Sequence, residues 1–333
     1  MSASPRRIIV SRTDRLGDVV LTLPLLGLLG QRWPDAEIIP LVRRYARPIV
    51  EASEHVHAVL EWPEHGSASD DERARLLRDA GADTILHVFP RREVANAARD
   101  AQIPRRIGSA RRWFHWLTCT ERVNVSRKRS LLHEAQLNLK LSQPLLGNTD
   151  FSLSQLLPYI GLTRTAALPE PLAARLRTGR TNVLLQPLTG GTVPPWPLER
   201  WKALTEALGA DRFRFFVTGT SAEGRALRPW LDSLGAHVED ATGLGLAELL
   251  AFTRASDGLV AASTGPLHIA AAVGVPALGL YPARSNPLLA RWQPLGARAE
   301  IIVAPEPAHS PSTLDIGAIT VEQARDAVAR WGR

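Results

Sequence analysis

The chain carries a single cysteine, Cys119, in 333 residues. It can form no intrachain disulfide, and a cysteine-based zinc site is not expected. A reducing, cytoplasmic compartment fits that economy. Lysine is almost as scarce. Lys128, Lys140 and Lys202 are the three, so the formal net charge of +7 rests on arginine. No apolar run is long enough to span a bilayer. Met1 to Arg7 leads directly into the first apolar stretch, without a signal-peptide core. Two nucleotide signatures are also missing: the G-x-G-x-x-G dinucleotide fingerprint and the G-x-x-x-x-G-K-[ST] P-loop. No nucleic-acid module is recognisable, and no short internal repeat is visible.

What is present is ordinary globular material, 45% hydrophobic and 22% charged, and enough of it for two domains. The stretch Ile8 to Pro24 organises the rest. It opens on the β-branched run Ile8-Ile9-Val10, breaks into the polar turn Ser11 to Arg15, and enters an apolar helix through Gly17-Asp18. A buried parallel strand feeding a helix reads this way. Chemistry in open α/β sheets sits at the carboxyl ends of such strands. Asp18 would lie there, in a first helical turn whose dipole favours a carboxylate able to accept a proton. On these residues alone, a helix-start carboxylate and a close-packing glycine are the plainer reading.

Along the chain the pattern predicts a helix over 17–32, stopped at Trp33-Pro34. Strands follow at 37–42, 57–60, 84–88 and 105–108, and helices at 44–52, 71–80, 91–101 and 133–145. Between Arg91 and Arg129 stand eleven basic residues against Glu93, Asp100 and Glu121. This stretch includes Arg111-Arg112-Trp113-Phe114-His115-Trp116. Arginines interleaved with aromatics suit an anionic partner, a membrane surface or a nucleic acid. They equally suit a solvated arginine face with the rings turned into a core. Residues 162–179, with Pro169 and Pro171, read as the connection to a second αβ series. Its strands are predicted at 182–186, 213–218, 258–262 and 276–280, with a closing helix at 320–331.

The second half offers loops suited to phosphate. Thr264-Gly265-Pro266 opens a helix, whose free backbone N–H groups and dipole favour an anion. Gly265 permits close approach and Pro266 fits a first turn. A Thr-capped helix start is the plainer reading. Thr189-Gly190-Gly191-Thr192 is a second candidate cradle, or a surface loop. Glu223, just beyond a strand, could take ribose hydroxyls or serve only as a first-turn carboxylate. His268 could line the site or sit satisfied in the core.

Taken together, these residues resemble glycosyltransferase family nine, the heptosyltransferases of bacterial lipopolysaccharide synthesis. Arg12 to Pro24 is similar to the family's R-x-D-R-x-G-D-V-x-L-T-x-P opening. Ser263 to Pro276 resembles its S-T-G-P-x-H-x-A-A-A-x-G-V-P segment, and Trp196 to Trp201 its W-P-x-E-x-W element. The resemblance spans almost the whole chain, and the two end motifs together are fairly specific.

The resemblance implies an α/β GT-B architecture, two Rossmann-like parallel-sheet domains facing across a cleft. Residues 1–162 would bind the acceptor, 163–180 would link, 181–318 would bind a nucleotide-sugar donor, and 319–333 would form a terminal helix. It implies an inverting transferase with Asp18 as general base. Arg12, Asp14, Arg15, Gly17, Arg111 and Arg112 would meet an anionic glycolipid acceptor at the inner membrane's cytoplasmic surface. Thr189, Gly190, Gly191, Glu223, Leu244, Ser263, Thr264, Gly265 and His268 would hold the donor, ADP-heptose by family precedent, and no metal or other cofactor would be required. Heptosyltransferases often place a lysine before the W-P pair, and many an aspartate where Ser263 stands. Here Pro194 and Pro195 occupy the first position, and Arg284 is the substitute cation on offer. Two alternatives share the scaffold: a transferase or epimerase with another donor, such as a UDP-sugar, and a non-catalytic nucleotide-sugar-binding or assembly protein.

Overall fold

Strand β1, Arg7–Ser11, lies at the centre of a six-stranded sheet with four of its five residues buried. Only a strand covered on both faces tolerates such a continuous apolar run. In this computed structural model residues 4–127, 130–191, 194–283, 288–306 and 315–331 are described. The chain divides into two units, Met1–Arg164 and Thr165–Arg333.

The first unit adds β2 (Glu37–Val42), β3 (Leu60–Glu61), β4 (Thr84–His87), β5 (Arg105–Ser109) and β6 (Glu121–Val123). Their order is β3-β2-β1-β4-β5-β6, with every pairing parallel. The second unit contains β7 (Thr181–Gln186), β8 (Phe213–Val217), β9 (Val238–Asp240), β10 (Gly258–Ala262), β11 (Ala277–Tyr281) and β12 (Ala299–Val303). Their order is β12-β11-β10-β7-β8-β9, again all parallel. Counted within each unit, both sheets follow the Rossmann order 3-2-1-4-5-6. The order reverses between β1 and β4 in one unit and between β7 and β10 in the other. At such switch points the flanking helices diverge and leave a crevice at the strands' carboxyl ends.

The structure differs from the sequence reading in instructive places. The helix expected over 17–32 is two helices, Leu16–Val20 and Leu23–Arg32. Pro24 lacks an N–H and begins the second helix, while the Thr22 hydroxyl donates to the Asp18 carbonyl at 2.8 Å. The strands β6, β9 and β12 were missed. Each lies at a sheet edge, and β6 and β9 are short and half-exposed, so they lack a core strand's apolar run. Within 163–180 lies a helix, Glu170–Ala173. Leu168, Leu172 and Leu176 pack into the second unit's core.

The Trp196 to Trp201 segment is core. Trp196 and Trp201 are fully buried and meet edge-to-face at 5.1 Å, and the Trp196 indole N–H donates to the Ile319 carbonyl at 3.0 Å. An aromatic pair of this kind adds about 0.5–1.5 kcal/mol beyond its burial. It anchors the end of the long loop after β7 to helix Leu198–Leu208 and the closing helix Val321–Ala329.

Candidate active site

In the first unit the loop leaving β1 is built around one buried guanidinium. Arg12, 4% exposed, reaches three carboxylates: Asp14 Oδ1 at 2.7 Å, Asp18 Oδ1 at 2.7 Å and Glu134 Oε1 at 2.9 Å. It also donates to Asn138 Oδ1 at 3.2 Å. Arginine's planar fork allows this division where lysine's single nitrogen would not. Burial alone would pull the Arg12 pKa down, but Asp14, Asp18 and Glu134 outweigh it and raise it.

The rest of the loop is pinned from outside. The Thr13 carbonyl accepts from Arg43 Nε at 2.9 Å and from Arg91 Nη2 at 3.3 Å, and the Asp14 carbonyl accepts from the Tyr45 hydroxyl. Arg91 follows β4, so its bond crosses the switch point. Glu134 and Asn138 are fully buried on helix Glu134–Leu141, and Arg127 bridges them at 3.0 and 2.9 Å. Asp14 carries the perturbed acid of this group. Its pKa is pushed up to about 6, by burial first and by Asp18 in addition, with Arg12 pulling the other way.

The structure thus brings Arg12, Asp14, Gly17 and Asp18 together on one loop and its helix. Arg15 precedes that helix and is exposed. Arg111 and Arg112 follow β5 on the same carboxyl edge and are exposed, and Arg111 Nε donates to Asn124 Oδ1 at 2.7 Å. Sequence reading missed Glu134, Asn138 and Arg127. The available signal was a glutamate and an asparagine four apart on a helix's apolar face.

In the second unit the switch-point loops follow β7 and β10. Gln186, the last residue of β7, is buried. Its Oε1 accepts from the Thr218 hydroxyl at 2.9 Å and its Nε2 donates to the Leu188 carbonyl at 3.3 Å, which fixes the root of the next loop. Thr189, half-buried, and exposed Gly190 and Gly191 follow. Gly191 has φ +79°, and a Cβ on either glycine would meet nothing within 4 Å, so the loop faces open space. Thr192 and Arg284 lie outside the described residues.

Across the switch point, helix Gly265–Ala272 starts directly after β10. Thr264 precedes it with extended backbone and makes no side-chain cap; its hydroxyl oxygen is buried with no partner among the described residues. The plainer Thr-cap reading therefore fails. His268 lies one turn further in, buried. Ser263 hydrogen-bonds the buried Tyr281 hydroxyl, which itself donates to the Trp292 carbonyl at 2.6 Å.

Glu223 forms a capping box with Thr220, accepting from the Thr220 N–H at 2.6 Å while its own N–H donates to the Thr220 hydroxyl at 3.2 Å. Leu244 is half-buried against the second core, and the Gly243 N–H donates to the Gly219 carbonyl at 2.8 Å, tying its loop to that of Glu223. Among the described residues no group of three or more His, Cys, Asp or Glu could hold a metal.

Two parallel sheets in Rossmann order, each with polar loops at its switch point, are the α/β arrangement of the GT-B class of fold. The comparisons with known proteins agree. The sequence profile described as "Glycosyltransferase family 9 (heptosyltransferase)" matches residues 74–314. The chain belongs to that family. It is 24% identical to a lipopolysaccharide heptosyltransferase 3 of Escherichia coli K12 over 297 residues, covering 83% of this chain and 82% of the other. Among solved structures, the glycosyl transferase family 9 protein of Veillonella parvula superposes with a TM-score of 0.81 at 20% identity, covering 99% of this chain and 98% of the other. The E. coli ADP-heptose lps heptosyltransferase II gives 0.76 at 18% identity, with 98% of each chain covered. These structural likenesses establish the fold.

Proposed function

We propose that this glycosyltransferase moves a heptose from ADP-heptose to a lipopolysaccharide-type acceptor, with inversion, using Asp18 as general base. The observation that carries the reading is the placement of Asp18. It stands in the first turn of helix Leu16–Val20, which follows the switch-point loop at the carboxyl end of β1, and is held at 2.7 Å by Arg12. In the reaction the acceptor hydroxyl oxygen bonds to the anomeric carbon while the bond from that carbon to the diphosphate breaks. The hydroxyl proton passes to the Asp18 carboxylate. The charge that develops on the leaving diphosphate falls to the second unit. There the N-terminus of helix Gly265–Ala272 and the Thr264 hydroxyl, which has no partner among the described residues, are the donors this reading uses. Thr189 to Gly191 provide an open approach for the phosphates. The E. coli enzyme similar to this chain is named for ADP-heptose and lipopolysaccharide, which supports this donor and acceptor.

The test pairs binding with transfer. ADP should raise the midpoint of thermal unfolding where UDP, GDP and CDP do not, because a ligand that binds only the folded state stabilises it. Asp18→Asn should keep that response and lose transfer from ADP-heptose. A variant that transfers at the wild-type rate would remove Asp18 from the chemistry, and selective stabilisation by UDP would replace the donor.

A further inference from the structure

The six-residue helix Trp113–Thr118 presents three of its large apolar side chains outward. Trp113, Trp116 and Leu117 are 62%, 61% and 69% exposed, whereas His115 and Thr118 are buried. Positions three and four apart share a helix face, so the two indoles and the leucine form one outward stripe. The two indoles therefore do not turn into a core, as the sequence had left open, while Phe114 is half-buried against the buried His115 ring. Burying two tryptophans in the core would be worth several kcal/mol. Leaving both in water calls for an explanation outside the unit's own packing.

The surroundings are basic. The Arg92 guanidinium lies 5.0 Å from the Trp113 ring centroid and that of Arg122 4.7 Å from the Trp116 centroid. Arg111 and Arg112 immediately precede the helix, and all four arginines are exposed. The acids of this stretch are already engaged: Glu121 with Arg105, Asp100 with Arg99, and Glu93 with His65 and Arg91. The Trp116 indole N–H donates to the Ala110 carbonyl at 3.0 Å, which fixes its ring outward.

We infer that this helix is the docking element by which the first unit sits on an anionic lipid bilayer, its two indoles at headgroup depth and the arginines on lipid phosphates. Charge complementarity selects the occupant. Tryptophan is enriched at the membrane–water interface, and arginine beside an anionic leaflet is favoured by about a fivefold affinity gain each. The helix follows β5, and the carboxyl end of β5 lies on the same edge of the parallel sheet as that of β1. The docked face is thus on the edge that carries Asp18, where a lipid-anchored acceptor would be presented. The inference rests on the acceptor reading only for that purpose. Binding is measured without nucleotide or acceptor, so its failure leaves the transfer tests standing.

The experiment is co-sedimentation of the full chain with vesicles of phosphatidylcholine, alone and with added phosphatidylglycerol. Wild type should bind the anionic vesicles, release in high salt, and show a blue shift of tryptophan emission on binding. Trp113→Ser with Trp116→Ser should abolish binding. Arg92→Gln with Arg112→Gln should weaken it roughly twentyfold to thirtyfold. Both pairs are exposed, so unchanged unfolding midpoints verify that the fold is kept. Equal binding to neutral vesicles, no binding to either, or binding that survives both double variants would overturn the inference. So would self-association abolished by the tryptophan pair in the absence of vesicle binding, which would make the stripe a contact between copies.

Discussion

Replacing Arg12 with methionine removes one cation from the midst of three carboxylates while keeping most of the apolar stem. In the wild type that guanidinium is 2.7 Å from Asp14, 2.7 Å from Asp18 and 2.9 Å from Glu134. Breaking a buried ion pair by deleting one partner costs about 3–5 kcal/mol. Arg127 remains on Glu134 at 3.0 Å, so the low end applies, about 3 kcal/mol. For a unit of this size the unfolding midpoint should fall by roughly 6–12 °C.

The penalty should also depend on pH. Asp14 titrates at about 6 even with Arg12 beside it. Without that opposing pull its folded pKa moves higher still. The unfolded carboxyl stays near its ordinary 3.8, so the folded variant gains a proton that the unfolded chain does not. The cost is then largest above the variant's folded pKa and shrinks as pH falls to about 6, below which wild type and variant take up the same proton and the cost stays level. Urea unfolding at pH 7.5 and pH 5 reads both effects. Transfer activity, measured well below the unfolding midpoint, should fall by about a hundredfold, because Asp18 loses the contact that places it. An Arg12→Met protein whose midpoint matches wild type at both pH values would refute the reasoning. A penalty identical at both would refute the part assigned to Asp14.

Other outcomes follow from single sites. His87 is buried with neither ring nitrogen bonded among the described residues, and burial, with His115 and Arg106 nearby, pushes its pKa down to about 3. Because the unfolded side chain titrates near 6.5, the unfolded state takes up the proton first as pH falls, and stability is lost between about pH 6.5 and 3 at about 1.4 kcal/mol per pH unit. His87→Leu should remove that slope, leaving the similar one from His115, whose pKa burial lowers to about 4; an unchanged acid-unfolding profile would count against it. Gly224→Ala adds a better helix former, worth about 1 kcal/mol. Its Cβ would stand 2.8 Å from that of Thr242, whose hydroxyl is held by Asp240 at 2.7 Å. Overpacking of that kind costs about 1–3 kcal/mol, so a net loss is expected in denaturant unfolding, and a more stable variant would contradict the clash.

Much of the fold was legible because its central strands advertise themselves. Ile8-Ile9-Val10 and the fully buried run Gly258–Ala262 are apolar without alternation, which only a strand covered on both faces permits. The three missed strands are all edges, where one side of the ladder faces solvent and the composition is free to be polar. The break in the helix over 17–32 was available in Pro24, but deciding it needed the Thr22 hydroxyl that caps the first piece.

The candidate site divides in the same way. The sequence by itself determined which loops would lie at the sheets' carboxyl edges, because a polar turn between a buried strand and a helix has a fixed place there in a parallel sheet. Asp18, Thr189 to Gly191 and Thr264-Gly265 were found on that basis. Tertiary structure alone decided what surrounds them. Glu134 and Asn138 lie 122 and 126 residues from Arg12 along the chain, and no local pattern links them. Likewise the sequence showed that arginines and tryptophans alternate around Trp113, while the direction in which those rings point was settled by His115 and Thr118 taking the inward positions. Local composition fixes where a strand ends and a turn begins, since those are properties of a few neighbouring residues. Which side chains then meet, and which are left facing water, depends on segments brought together only by folding.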